Sequence, residues 1–240
     1  MPSVDAVGLP DELAGLDLAG TNAVVIDVLR ATSTIVAAIE SGVSGVIPVA
    51  GIEEARLLAA EHRGALLGGE RAAVRVEGFD LGNSPLEYSP ERVGGRAVVL
   101  CTTNGTRAFG RAGDAAGVYA GALTNRAALC AALKQSGRDV RLVCSGTDGA
   151  VSDEDCFGAG LIADGLAGWG TLTRRAASMR EQAVLAMARL GDPTQVIGSS
   201  LHGRRLIGLG LEADVEACGG LDTSRVVPVI NAGGILVNAG

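Results

Sequence analysis

The stretch Val24-Val-Ile-Asp-Val-Leu-Arg-Ala-Thr-Ser-Thr34 decides how this chain is read. Its β-branched run, Val24 to Ile26, predicts a buried strand, with an acid, Asp27, near the strand's end. Arg30 and a hydroxyl cluster (Thr32, Ser33, Thr34) follow, then a helical segment, Ile35–Glu40, that Gly42 can stop. Such a unit delivers a carboxylate, a guanidinium and a helix N-terminus to one point. Helix N-termini attract anions, and an arginine fork grips phosphate or sulfonate. The plainer alternative is that Asp27 and Arg30 pair with each other while Thr32 or Ser33 caps the helix.

Outward from this unit the rhythm repeats. Gly45–Val49 predicts a strand, 52–62 a helix with acids early and basic residues late, and Ala65–Gly68 a strand running into Glu70-Arg71. Strand and helix alternating in this way indicate a parallel α/β architecture. Residues 71–90 form a long irregular stretch, in which Asn83-Ser84-Pro85 predicts a short helix capped by Ser84. Two further strands, Ala97–Leu100 and Val140–Val143, run out into Cys-Thr-Thr-Asn-Gly-Thr-Arg (101–107) and Cys-Ser-Gly-Thr-Asp-Gly (144–149). Strand ends in a parallel sheet share one edge, where open α/β folds bind ligands, and turns of this kind form anion cradles. Serine, threonine, asparagine and glycine are also ordinary turn formers.

From Ser152 the chain reads as largely helical, over 153–166, 172–190 and shorter pieces to Cys218, with a last strand at Arg225–Ile230. Ser152 and Asp155 have the spacing of a capping box; metal binding is the other reading of Asp153, Glu154 and Asp155.

Composition bounds the rest. A chain of 240 residues can bury roughly 70–75% of its unfolded surface, and no linker divides it, so a single α/β domain over residues 1–240 is expected. Residues are 48% hydrophobic but 2% aromatic, with 36 glycines, which suits closely packed helices on a sheet. The net charge of −7 argues against a nucleic-acid partner but tolerates a small anionic substrate gripped by local arginines. Five cysteines without metal-type spacing predict reduced thiols. No basic residue precedes Arg30 and no apolar run could span a bilayer, so a cytoplasmic location without membrane contact is expected.

Several motifs fail in detail. Cys101 and Arg107 have the spacing of thiolate phosphatases, but Thr102 and Thr103 stand where a bare backbone cradle is needed. The Gly208–Ala213 dinucleotide-like string lies too near the C-terminus for its unit. There is no Gly-Lys-Ser/Thr loop and no nucleophile elbow. With two histidines, any metal would be held by oxygen ligands, which points to Mg²⁺.

Taken together, Val-Ile-Asp-Val-Leu-Arg-Ala-Thr-Ser-Thr (25–34), Gly-Glu-Arg (69–71), Gly-Phe-Asp-Leu-Gly-Asn-Ser-Pro (78–85), Thr-Thr-Asn-Gly-Thr-Arg (102–107), the 144–149 turn and Glu154-Asp155 resemble the 2-phosphosulfolactate phosphatase family of coenzyme M biosynthesis. The resemblance implies a three-layer α/β fold, which joins the pattern above into a mostly parallel sheet flanked by helices with a largely helical C-terminal third. It also implies a homodimer and Mg²⁺-dependent hydrolysis of (R)-2-phospho-3-sulfolactate to 3-sulfolactate and phosphate. Another small phosphomonoester, or non-catalytic binding of an anionic metabolite, would use the same features.

On that basis Asp27 and Arg30 are the candidate catalytic residues, with Asp27 as metal ligand or nucleophile. Glu70, Asp80 and Asp155 are the further candidate ligands. Candidate substrate contacts are Thr32, Ser33, Arg71, Asn83 and Ser84, the turn residues Thr102, Thr103, Asn104, Gly105 and Arg107, and Ser145 with Gly146.

Overall fold

A computed structural model describes residues 1–239. The organising unit forms as its residues dictate: β1 (Ser3–Val7) leads through a 3₁₀ turn (Pro10–Leu13) to β2 (Thr21–Ile26), and the turn at 27–30 enters α1 (Ala31–Glu40). Gly42, at a positive φ of 80°, follows the helix end. The chain continues through β3 (Gly45–Val49), α2 (Ile52–Glu61), β4 (Leu66–Arg71) and β5 (Val74–Arg75). The 71–90 stretch holds a short 3₁₀ helix, Pro85–Glu87, in which Ser84 accepts a hydrogen bond from the Leu86 amide as expected of a cap. Then come α3 (Pro90–Val93), β6 (Ala97–Cys101), α4 (Gly105–Arg111), β7 (Gly117–Gly121), α5 (Arg126–Ser136) and β8 (Asp139–Cys144).

The C-terminal third is α6 (Asp153–Leu166), β9 (Thr171–Leu172), α7 (Arg174–Leu190), α8 (Pro193–Gly198), α9 (Leu201–Gly208) and α10 (Glu212–Gly219), closed by the hairpin β10 (Pro228–Ile230) and β11 (Leu236–Asn238). Helical content there matches the sequence expectation. The capping box at Ser152 does not form: its side chain makes no cap hydrogen bond, and the Asp155 carboxylate accepts from the Val28 and Gly146 amides instead of the Ser152 amide.

Among the described residues eleven strands make one mixed sheet in the order β5-β4-β6-β3-β11-β10-β7-β2-β8-β1-β9. Two parallel blocks, β4-β6-β3 and β7-β2-β8-β1, are joined by the β10–β11 hairpin, which meets β7 and β3 antiparallel through one residue pair each. Strand β2 is the inner strand the sequence predicts, buried from Asn22 to Ile26. Its two faces serve different cores. Val24 and Ile26 pack with α6, whereas Ala23 and Val25 share a core with α1, α4 and, from the other block, Val98 and Leu100 of β6. Thus α1 and α4 are clasped between the two halves of the sheet. The consequence for function is geometric: residues at the C-terminal ends of β2, β4, β6 and β8 line one cavity.

Behind the sheet α6 lies against α7 at a glycine. A Cβ on Gly160 would collide with the Met179 carbonyl and stand 2.6 Å from the Ala183 Cβ. Gly160→Val should therefore destabilise the protein by about 1–3 kcal/mol, a fall of roughly 2–4 °C in Tm for each kcal/mol in a chain of this size. Thermal unfolding checks it; an unchanged Tm would mean the two helices separate freely.

Candidate active site

Asp27 is the first residue beyond β2 and is 6% exposed. The Thr32 hydroxyl donates to the Asp27 carbonyl (2.8 Å) and accepts from the Asp27 amide (3.1 Å), closing the turn on itself. The Ala31 amide donates to Asp27 Oδ1 at 3.1 Å, so the acid occupies the start of α1, where the helix leaves N–H groups free. Ser33 donates to the Val28 carbonyl (2.8 Å). Thr32 and Ser33 therefore hold the turn rather than face the cavity. Gly105 closes the other side: a Cβ there would lie 2.8 Å from Asp27 Oδ2 and 2.7 Å from the Ala31 Cβ, so only glycine lets α4 approach so closely. Burial raises the Asp27 pKa to about 7; the Ala31 amide opposes that, Glu70 and Glu154 add to it, and the Gly105 amide lowers it.

Arg30 does not pair with Asp27. Its guanidinium forms an ion pair with Asp214 of α10, both side chains being at most 5% exposed, and donates to the Ala73 carbonyl (3.2 Å). Ser84 donates to the other Asp214 oxygen at 2.6 Å. Ser84 thus acts on Arg30 through Asp214. Neighbouring Asn83 lines the cavity, is 6% exposed, and its Oδ1 has no hydrogen-bond partner among the described residues, an orphaned polar atom that a ligand would satisfy.

Glu70 accepts from the Thr103 amide (2.9 Å) and hydroxyl (3.0 Å) and from the Ala73 amide (2.8 Å). These bonds hold the tight turn between β4 and β5, where Ala72 and Ala73 both have positive φ, 53° and 68°. Thr102 accepts from the Thr106 amide (3.4 Å), and Thr106 donates back to the Thr102 carbonyl (2.9 Å), a local start for α4. Thr102, Thr103 and Asn104 all line the cavity, whose volume is about 120 Å³.

The remaining sequence candidates lie elsewhere. Arg71 donates to the Ala50 (2.8 Å) and Glu70 (2.7 Å) carbonyls and to Cys101 Sγ (3.2 Å). Asp80 accepts from the Leu67 amide (2.9 Å) at an exposed position. Arg107 faces Asp11 at 3.7 Å and, with Ser145, lines a small adjoining cleft. Asp155 accepts from the Val28 amide (2.9 Å) and the Gly146 amide (3.0 Å), which fastens the turn after β2 to the turn after β8. Burial, then Asp27 and Glu154, push the Asp155 pKa up. Cys101 is buried outside the cavity, its thiol held above its ordinary pKa by burial despite Arg71. Neither its position nor its ionisation suits attack on a phosphoryl group.

Two cavity residues had no motif to announce them, His202 and Arg205 on α9, while Thr147 and Asp148 come from the 144–149 turn, of which the candidates Ser145 and Gly146 do not line this cavity. Arg205 lies 3.5 Å from Asp148. Burial, with Arg205 and Arg30, lowers the His202 pKa. The spacing of His202 and Arg205 on one helical face is the only sequence signal they carried.

A family model described as 2-phosphosulpholactate phosphatase matches residues 9–233. The chain belongs to the 2-phosphosulfolactate phosphatase family. Similar family members include proteins named probable 2-phosphosulfolactate phosphatase from Carboxydothermus hydrogenoformans, 40% identical over 94% of this chain and 92% of the relative, and from Thermotoga petrophila, 44% identical over 87% and 88%. One from Deinococcus radiodurans is 40% identical over 88% of each chain. Among the described residues no helix is long and apolar enough to cross a membrane.

The family's expected Mg²⁺ can be tested against these donors. Among the described residues no group of three or more His, Cys, Asp or Glu is arranged to hold a metal ion, and Asp80 and Asp155 are placed for other work. Asp27 and Glu70 remain on the cavity wall, an oxygen donor pair. That fits Mg²⁺, which commonly takes one or two carboxylates and completes its shell with water and phosphoryl oxygens.

The raised Asp27 pKa has a stability signature. The folded value, about 7, exceeds the unfolded value of about 3.9, so the folded state holds the proton more tightly. The resulting stabilisation is complete below about pH 4 and is lost as pH rises to about 7. In EDTA, Asp27→Asn should gain stability relative to the parent as pH goes from 4 to 8. Urea unfolding across that range measures it; a difference independent of pH would contradict the raised pKa.

Proposed function

We propose that this protein is a Mg²⁺-dependent phosphatase that hydrolyses (R)-2-phospho-3-sulfolactate to 3-sulfolactate and phosphate. The observation that carries the reading is the convergence of Asp27 and Arg30 on one cavity in a chain of this family. Arg30 is held by Asp214 and the Ala73 carbonyl, so its fork is oriented before substrate arrives. Asp27 faces the same space with a pKa near neutrality, suited either to attack phosphorus or to take a proton from water. Thr103, Asn104 and Arg205 line the same cavity; in this reading the first two would donate to phosphoryl oxygens and Arg205 would meet a carboxylate or sulfonate.

Charge supports a cation in the reaction. Asp27, Glu70 and Asp148 line the cavity against Arg30 and Arg205, and Asp214 already offsets Arg30. A substrate bearing phosphate, carboxylate and sulfonate enters such a field only with added positive charge. When bound, Mg²⁺ would neutralise phosphoryl oxygens and stabilise the charge that develops there. It would be held by Asp27 and Glu70.

The test is phosphate release from racemic phosphosulfolactate by the purified protein, with Mg²⁺ and then with excess EDTA, for the parent and Cys101→Ser. Release that EDTA abolishes and that survives Cys101→Ser is expected. Release indifferent to EDTA but lost in Cys101→Ser would replace this mechanism with thiolate attack.

A further inference from the structure

A second cavity, of about 480 Å³, adjoins the first and is about four times its volume. The two share a wall made by Thr147, Asp148, His202 and Arg205. Two large apolar side chains border the second cavity, Val151 (54% exposed) and Leu201 (78% exposed), where solvent would favour polar residues. Two buried polar atoms there lack partners. His202 Nδ1 makes no hydrogen bond, and the Ser152 hydroxyl, on a residue 6% exposed, has no partner either. Groups left in this condition are costly unless a ligand or water answers them.

The chemistry of the walls selects the occupant. Arg205 stands on the wall the cavities share, and two acids, exposed Asp153 and buried Glu154, line the second. Glu154 is 2% exposed. Acids beside apolar Val151 and Leu201 disfavour a further anionic group there and leave an uncharged body as the better occupant. His202, whose pKa burial lowers, presents its ring to the wall the two cavities share.

We propose that the second cavity binds the alcohol portion of phosphomonoesters and admits an uncharged apolar or aromatic body there. The inference rests on the first cavity being the phosphoryl site. The substrate class of this enzyme then extends beyond short anionic acids to aryl phosphomonoesters. The reaction is the same hydrolysis: water adds at phosphorus, the phosphorus–oxygen bond to the alcohol breaks, and the alcohol oxygen takes up a proton.

The experiment compares kcat/KM for 1-naphthyl phosphate and for racemic phosphosulfolactate in the Mg²⁺-loaded parent and in Ala150→Trp, which fills the second cavity from an exposed position. Inhibition of phosphosulfolactate hydrolysis by 1-naphthylphosphonate is measured in parallel. The parent should hydrolyse both substrates. Ala150→Trp should lose at least about tenfold on the naphthyl ester and on phosphonate inhibition, while phosphosulfolactate stays within about twofold; a tenfold loss corresponds to about 1.4 kcal/mol. Hydrolysis of phosphosulfolactate alone, or equal losses on both esters, would overturn the inference and leave the proposed function standing. Hydrolysis of the naphthyl ester alone, impaired by Ala150→Trp, would support the second cavity and overturn phosphosulfolactate as substrate. Hydrolysis of neither would overturn both.

Discussion

A guanidinium taken out of water has to be answered by the chain around it, and in this molecule Arg30 sets that demand. The effective cost of burying an ion is several kcal/mol, recovered only with good geometry and further hydrogen bonds. Asp214 supplies the opposite charge, Ser84 steadies Asp214, and the Ala73 carbonyl takes another N–H of Arg30. Three remote parts of the sequence are thereby fixed to the turn after β2: the β4–β5 turn, the segment before the short Pro85–Glu87 helix, and α10. The C-terminal helices are not an appendage to the α/β core, because one of them carries the counter-ion of the candidate site.

Acids crowd the same region. Asp27, Glu70, Glu154 and Asp155 are each less than a tenth exposed, and their mutual repulsion adds to burial in raising the Asp27 and Asp155 pKa values. They differ in what holds them. Asp155 spends its oxygens on two backbone amides and braces the turns after β2 and β8. Glu70 supports a backbone turn with left-handed alanines. Asp27 keeps its carboxylate at the cavity, between the starts of α1 and α4. This crowding of like charges is what the proposed cation would relieve, and no single residue type would indicate it.

Much of the fold was legible because it is written locally. The β-branched run of β2, the Gly42 stop, the β3 strand, the α6 helix and the Ser84 cap each follow from neighbours in sequence. Strand β7 was not read, since Gly-Val-Tyr-Ala-Gly is short and bounded by glycines, and the 231–239 tail hid β11, whose three residues help join the two halves of the sheet. The site divides in the same way. Asp27, Arg30, Asn83 and the 102–104 turn were visible as motifs and reach one cavity. Asp214 could not be found, because its partner is 184 residues away. Asp155 read as a cap or a ligand, since carboxylates that bond distant backbone amides leave no pattern in sequence. Arg71 and Arg107 looked equivalent to Arg30, and only the fold shows them turned to carbonyls and to Asp11.

The central claim is that Asp27 performs chemistry while its surroundings bind the anion. The most direct test measures turnover of phosphosulfolactate by Asp27→Asn alongside calorimetric titration of the same variant with inorganic phosphate. The account predicts that turnover falls by ~10²–10⁴-fold or more, the range for losing a positioned acid–base group, while phosphate still binds. Turnover that persists in Asp27→Asn would contradict it and move the reacting group elsewhere in the cavity.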